Sequence, residues 1–291
     1  MIDAVSNVLR VPNKYRVFSE SQESLSRRYG ISEDLVAKLL DLGLPHARGS
    51  ATRNFDARDV DNIAIHLQLP NPRWLALQRW AKAFANAPTS VTRKIIGIYA
   101  ECNRLHSGAQ CLFTLDPVFR GSSQVFDITK QRDEFLVSLQ MPVVKGPRED
   151  EILPLVVRAG ELTFHLLCDE LASDTGFSRD TGLADCRLAS LDLSRAGGEA
   201  GIKTRTASGL FAATPFPSRH AWIEVNVGTG WLSLDPFLLS TMARWRILDP
   251  DKWPPHSSPS AMFLRLHRTF EPLMYDNGAA ATEHYWTVSC H

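Results

Sequence analysis

The apolar positions of the first seventy residues fall at helical spacing between polar breaks. ESQESLSRRYG predicts a short helix ended by Gly30, and SEDLVAKLLDLG a second, with Ser32 as N-cap and Gly43 as stop. LPHARGSATRNF predicts a short hairpin or wing, and DARDVDNIAIHL a third helix capped by Asp56. Pro70 and Pro72 mark a linker, so the expected division is 1–70 and 71–291.

Beyond the linker, RWLALQRWAKAFA and TSVTRKIIGIYAECNRL predict two helices, and 108–147 is irregular with one strand at EFLVSLQ. EDEILPLVVRAGELTFHLLCDELA predicts a long amphipathic helix. Ile152, Leu155, Val156, Ala159, Leu162 and Leu166 keep the spacing, and Pro154 falls in its first turn. His165 and Cys168 would then lie one turn apart, either as a pair or, more ordinarily, as two separately packed residues. SDTGFSRDTG reads as a polar loop. TGLADCRLASLDLSRAGG predicts a helix with Leu188, Leu191 and Ala196 on its apolar face, ended by Gly197 and Gly198.

Strand patterns follow. IKTRTASGLFAA is rich in strand formers, and RHAWIEVNV alternates. His220, Trp222, Glu224 and Asn226 take one face, and Ala221, Ile223, Val225 and Val227 the other. WLSLDP predicts the next strand, stopped by Pro236. A three-residue turn would aim Asp235 away from His220. A two- or four-residue turn, or a bulge, puts both on one face, and VGTG permits the longer even turn. The expected class is α+β.

Composition narrows the picture. Apolar content of 44% and charged content of 22% are those of an ordinary globular protein. Lys plus Arg (32) equals Asp plus Glu (32), so no global field draws nucleic acid or an anionic membrane. MIDAVSNVLRVPNKYR lacks the apolar core of a signal peptide, and no stretch approaches the roughly 18 apolar residues of a transmembrane helix. The cysteines (102, 111, 168, 186, 290) are odd in number, scattered, and without a C-x-x-C pair. That pattern argues against a disulfide framework and a structural zinc site. The expectation is a cytoplasmic protein with free thiols, no metal and no cofactor.

Cys186 falls at the start of its predicted helix, where unpaired N–H groups and the helix dipole favour a thiolate. Alone, it reads more readily as a small buried apolar residue. Its neighbours change that reading. Cys186 is followed by Gly201-Ile202-Lys203-Thr204-Arg205, Ser208-Gly209, His220-Ala221-Trp222-Ile223-Glu224-Val225, Gly230-Trp231 and Leu234-Asp235-Pro236. This order looks like the transglutaminase-like core of the papain-related cysteine enzymes, whose pattern runs G-x-C, G-I-P-A-R with S-G, H-A-W-V-E-V, G-W and L-D-P. Three features depart from that pattern. Ala184 stands for the family's Gly, with Gly182 two residues upstream; Arg195 to Gly201 is longer; and Phe237 replaces Thr.

The resemblance implies a papain-related fold with a helical lead-in at 71–175, a core at 176–240 and a C-terminal extension at 241–291. It implies Cys186 as nucleophile, His220 as base and Asp235 as the group orienting the imidazole. The activity implied is hydrolysis or acyl transfer at peptide or amide bonds through a thioester. Gln124, Gln131 and Gln140 are side-chain candidates for an oxyanion donor, with nothing to choose among them; Trp222 and Glu224 read as packing and structural contacts.

LSRRYGISEDLVAKLLDLGLPHARGSATRNFDARDVD resembles the winged helix-turn-helix of MerR-like and excisionase proteins, which implies an alternative: a DNA-binding regulator whose second domain is a sensor. Residues 1–70 carry nine basic and nine acidic side chains, and the second helix bears Glu33, Asp34 and Asp41 against Lys38. DNA readers need an excess of Lys and Arg for phosphates. Arg48 and Arg53 in the wing keep DNA open, but a peptide or protein partner fits the charges better. The intact chain is therefore expected to bind duplex DNA at ordinary non-specific strength, about 10⁻⁴–10⁻⁶ M at physiological salt. A selection from randomised duplexes checks this; enrichment of one sequence at nanomolar affinity would reverse the choice.

Overall fold

The structure, a computed structural model, describes residues 1–48, 53–87, 89–101, 111–228 and 230–290. The chain opens with α1 (Ile2–Leu9), which the sequence reading did not anticipate, then β1 (Phe18–Ser21), α2 (Gln22–Tyr29) and α3 (Glu33–Asp41). Glu20 was expected to begin a helix. It lies instead in β1, and Ser21 caps α2 by accepting from the Ser24 N–H. Gly30 ends α2 at φ 68°, and Ser32 caps α3 through the Leu35 N–H. Strands β2 (Ala47–Arg48) and β3 (Arg53–Asp56) pair as a hairpin, and β1 joins the other edge of β3. Residues 49–52 of the expected wing lie outside the described residues. Asp56 caps α4 (Ala57–His66), and α5 (Pro72–Ala85) follows.

Four helical or loop expectations fail beyond α5. TSVTRKIIGIYA is not a helix but β4 (Thr92–Ala100). Its Lys94, Ile96, Ile98 and Ala100 point inward at strand period, and β7 and β16 pair on its two sides. The region 108–147 holds β5 (Phe113–Leu115), α6 (Val118–Gly121), β6 (Val125–Gln131) and β7 (Glu134–Met141). The long helix at 149–172 is only α7 (Glu149–Glu161). It bends at Ile152 (φ −129°, ψ 17°), where Pro154 removes a backbone donor. Then comes β8 (Thr163–Phe164), so His165 and Cys168 share no helix. SDTGFSRDTG is not a loop but contains α8 (Thr175–Thr181), capped by Asp174 and closed by Gly182 at φ 72°. Next, β9 (Leu183–Ala184) pairs in parallel with β8.

Helix α9 (Cys186–Glu199) runs through Gly197 rather than ending there. A Cβ on Gly197 would lie 2.5 Å from Thr204 Cγ2, so the glycine admits the next strand. The chain finishes with β10 (Thr204–Phe211), β11 (Ser218–Asn226), β12 (Trp231–Leu234), α10 (Pro236–Arg244), β13 (Phe263–His267), β14 (Met274–Asp276), β15 (Ala279–Ala280) and β16 (Glu283–Cys290). The arrangement is mixed α/β with antiparallel sheets. Two four-stranded sheets, ordered β12-β11-β10-β13 and β16-β4-β7-β6, share one core in which Leu210 and Leu264 meet Ile96, Ile98, Val137 and Leu139.

Two compact units result: Met1–Trp80 with Glu161–Leu188, and Ala81–Gly160 with Ala189–His291. They do not coincide with the division expected at 70/71, because residues 161–188 pack with the N-terminal segment. The attachment is specific. The Asn62 amide pairs with Leu166 as a strand would, donating to its carbonyl at 3.1 Å and accepting its N–H at 2.7 Å. His66 Nε2 bonds the Phe164 carbonyl, and Arg10 donates to the Thr181 carbonyl at 2.7 Å. Beneath them, Arg16 and Asp59 form a buried ion pair at 2.6 Å. Desolvation pushes the Asp59 carboxyl up to about 6, against the opposing pull of Arg16.

His165 is fully buried, with neither ring nitrogen hydrogen-bonded. Burial, then His66 and Arg16, depress it from 6.5 to about 3, so it stays neutral in the folded chain. A group depressed on folding contributes stability above its ordinary value that is lost as pH falls toward its folded value. Against His165→Leu, the wild type should therefore lose about 1.4 kcal/mol per pH unit once pH drops well below 6.5. Urea unfolding of both proteins from pH 8 to pH 4 tests this, and parallel curves would contradict it.

Candidate active site

Strand β11 is central in its sheet and buried on both faces, which explains why polar His220 can sit in an otherwise apolar run. Asn226 pairs with Trp231 and Ile223 with Leu234, so four positions separate the innermost pair of the ladder. This is the four-residue spacing that brings Asp235 to the His220 face. One step past the last ladder pair, Asp235 leaves the strand and becomes the N-cap of α10. Its Oδ1 accepts the Leu238 N–H at 2.9 Å, and its Oδ2 meets His220 Nε2 at 2.6 Å. Pro236 suits the first helical position, where no N–H is needed. His220 is 3% exposed and Asp235 4%.

The carboxylate accepts only, so the proton between them belongs to Nε2, and Nδ1 is the basic nitrogen of the ring. Across the sheet from His220 stands Gly209. A Cβ there would fall 2.0 Å from the Leu264 carbonyl oxygen, so only glycine lets β13 come this close. The ladder between β10 and β13 shifts register at this point, between Ser208 and Gly209. Glu224, on the His220 face, is held by Arg205 at 2.6 Å and Arg265 at 3.4 Å, a structural contact. Trp222 is buried.

Cys186 opens α9 in the first unit and is partly exposed. The residue before it, Asp185, caps the helix by accepting the Leu188 N–H at 3.0 Å and is gripped by Arg187, whose other arm reaches Asp169 at 2.6 Å. Burial pushes the Asp185 carboxyl up, opposed by Arg187 and the cap. Ala184 belongs to the β8–β9 pair and Gly182 to the end of α8. Gln124 is spent elsewhere: its amide donates to the Phe263 carbonyl and accepts the Arg265 N–H, each at 2.9 Å, which covers the edge of β13. Gln131 and Gln140 are exposed strand residues.

The sequence reading missed both helix caps. An Asp immediately before a helix start, and Asp-Pro at the end of a strand, are local signals that would have marked Asp185 and Asp235 as N-caps. Among the described residues no cluster of three or more His, Cys, Asp or Glu is placed to hold a metal ion, and no helix is long and apolar enough to cross a membrane.

No family model matches the chain, and no curated protein matches it. Among solved structures, one named "Putative Cysteine Protease from Cytophaga hutchinsonii" is similar over 70% of this chain and 92% of its own, at 11% identity and TM-score 0.38. Another, named a "TGase", is similar over 47% of this chain and 53% of its own, at 14% identity and TM-score 0.23. Both scores fall below 0.5.

Asp235 thus serves two donors, and its variants should separate them. Asp235→Asn keeps one acceptor oxygen and should cost about 1–2 kcal/mol, whereas Asp235→Ala loses both bonds and should cost about 3 kcal/mol. Thermal and urea denaturation of the two variants measure the difference; equal losses would show that the cap and the imidazole do not share the carboxylate.

Proposed function

We propose that the chain is a cysteine-dependent hydrolase or acyltransferase acting on peptide or amide bonds. The observation that carries this reading is the buried His220–Asp235 pair, in which Asp235 takes Nε2 and leaves Nδ1 as the base. A histidine held this way is the orienting half of a nucleophilic site. Cys186 supplies the other half: a thiol on the first turn of a fourteen-residue helix, where backbone N–H groups and the dipole favour negative charge.

In the proposed reaction the Cys186 proton passes to His220 Nδ1, giving a thiolate and an imidazolium. The thiolate sulfur attacks the carbonyl carbon of the scissile amide, and its electron pair moves to oxygen. The Cys186 N–H donates to that oxyanion. As the tetrahedral species collapses, the C–N bond breaks, the imidazolium proton goes to the departing amine, and a thioester remains. Water, deprotonated by Nδ1, then releases an acid and restores the thiol; an amine in place of water gives a new amide. Asp235 keeps its carboxylate throughout and stabilises the imidazolium.

The first seventy residues are proposed to hold a peptide or protein substrate rather than DNA. Their charges cancel, and α3 bears Glu33, Asp34 and Asp41 against Lys38. The proposed setting is cytoplasmic, where thiols stay reduced. Cys111, Cys168 and Cys186 stand outside any disulfide among the described residues.

Iodoacetamide labelling of the folded chain near neutral pH, mapped by mass spectrometry, tests the nucleophile. Cys186 should react at least tenfold faster than Cys111 or Cys168, and Asp235→Asn should erase most of that advantage. Burial pushes the Cys168 thiol up, which makes it a slow internal reference. Equal labelling of the three would remove Cys186 from the nucleophile's role.

A further inference from the structure

His220 stands among aromatic rings. Trp222, two residues along the same strand face, lies nearly parallel to it, at 6.1 Å between centroids and 20° between planes. Phe263 of β13 is at 5.3 Å and 60°, and Phe211, the last residue of β10, at 6.3 Å and 58°. These rings support one another. Trp222 packs on Phe263 at 4.6 Å, and Phe263 meets Phe211 nearly edge-on at 5.6 Å. Phe211 stacks on Phe84 at 5.4 Å. Phe84 is pinned by Trp253, whose indole N–H donates to the Phe84 carbonyl. Trp222, Phe84, Phe211 and Phe263 are all fully buried.

The wall has a backbone cause. Gly209, opposite His220, lets β13 approach with the Leu264 carbonyl where a side chain would stand. Phe263, the residue before Leu264, is thereby held beside the imidazole. The charged groups on this side of the sheet are few. Asp235 bonds His220 directly, while Glu224 is engaged with Arg205 and Arg265. In register with His220 are Gly209 of β10 and, beyond it, Arg265 of β13, whose guanidinium meets Glu224, while Phe263 supplies the nearest ring of β13. The Asp235 carboxylate and the aromatic rings are therefore two sources of electrostatic support for a charged imidazole.

We infer that Phe263, with Trp222 and Phe211 behind it, is a positioning residue that holds the His220 ring and favours its protonated form. A cation within about 6 Å of an aromatic centroid is attracted by the ring's quadrupole, more strongly where water is excluded. Phe263 meets that distance, its ring tilted 60° to the imidazole. This inference rests on the reading of His220 as the base that must carry a proton beside the Cys186 thiolate. Its catalytic consequence is a wider alkaline range, because the thiolate–imidazolium pair is lost when the imidazolium gives up its proton.

The test uses the full chain with ¹⁵N-labelled histidine, in a Cys186→Ser background so that no thiolate contributes. The His220 signal is assigned by its loss in His220→Gln. Phe263→Met fills similar space without a π face, and Phe211→Leu is the second variant should the first not fold. The His220 titration midpoint is expected to fall by about half to one pH unit in Phe263→Met, and by less in Phe211→Leu. The alkaline limb of kcat/KM on a model ester should fall by the same amount with Cys186 restored. A folded variant whose His220 midpoint does not move overturns the inference, as does a His220 that does not titrate between pH 4 and 10. A shifted midpoint in a protein that turns over no ester or amide leaves the inference standing and removes the proposed function instead.

Discussion

A carboxylate withdrawn from water has to be given donors, and Asp235 is given two: the first-turn N–H of α10 and Nε2 of His220. Much of the second unit is arranged to bring those donors together. The register between β11 and β12 fixes which face Asp235 reaches, and Pro236 starts α10 at once so that the cap forms there. An unpaired carboxylate in that position would cost several kcal/mol and titrate instead. The same constraint decides the tautomer of His220. With its proton on Nε2, the ring keeps its basic lone pair on Nδ1, so one bond sets both tautomer and orientation.

The first unit meets a similar constraint with different parts. Asp59 is buried against Arg16, and His165 is buried neutral beside His66. The Asn62 amide stands in for a strand edge against Leu166. Polar groups here join segments a hundred residues apart in sequence. That separation is why no local pattern announced that 161–188 belongs with the N-terminal helices.

Glycine and aromatic residues work together around His220. Gly209 is small so that β13 can approach, and the approach delivers Phe263 to the imidazole. A sequence reading sees Ser208-Gly209 as a family signature. The structure gives its physical content as a contact between two strands.

The sequence by itself determined what depends on near neighbours along the chain. Ser32 and Asp56 as helix caps, Gly30 as a stop, and the alternating strand around His220 were all legible, because caps and strand faces are decided within a few residues. So was the choice of registers for Asp235, narrowed to even turns by the requirement that two polar groups share a face. Tertiary structure decided the rest. TRKIIGIYA carries apolar residues that suit either period, and it became β4 because β7 and β16 offered hydrogen-bond partners on both sides. The long helical pattern after Glu149 was cut at Glu161 because Thr163 and His165 could donate to the carbonyls of Gly182 and Ala184 in a parallel pair. The aromatic wall beside His220 draws on Phe84, Phe211, Trp222, Trp253 and Phe263, positions that run from 84 to 263 along the chain. Only the fold brings such distant side chains within reach of one ring, because burial rewards contact in space regardless of separation along the chain.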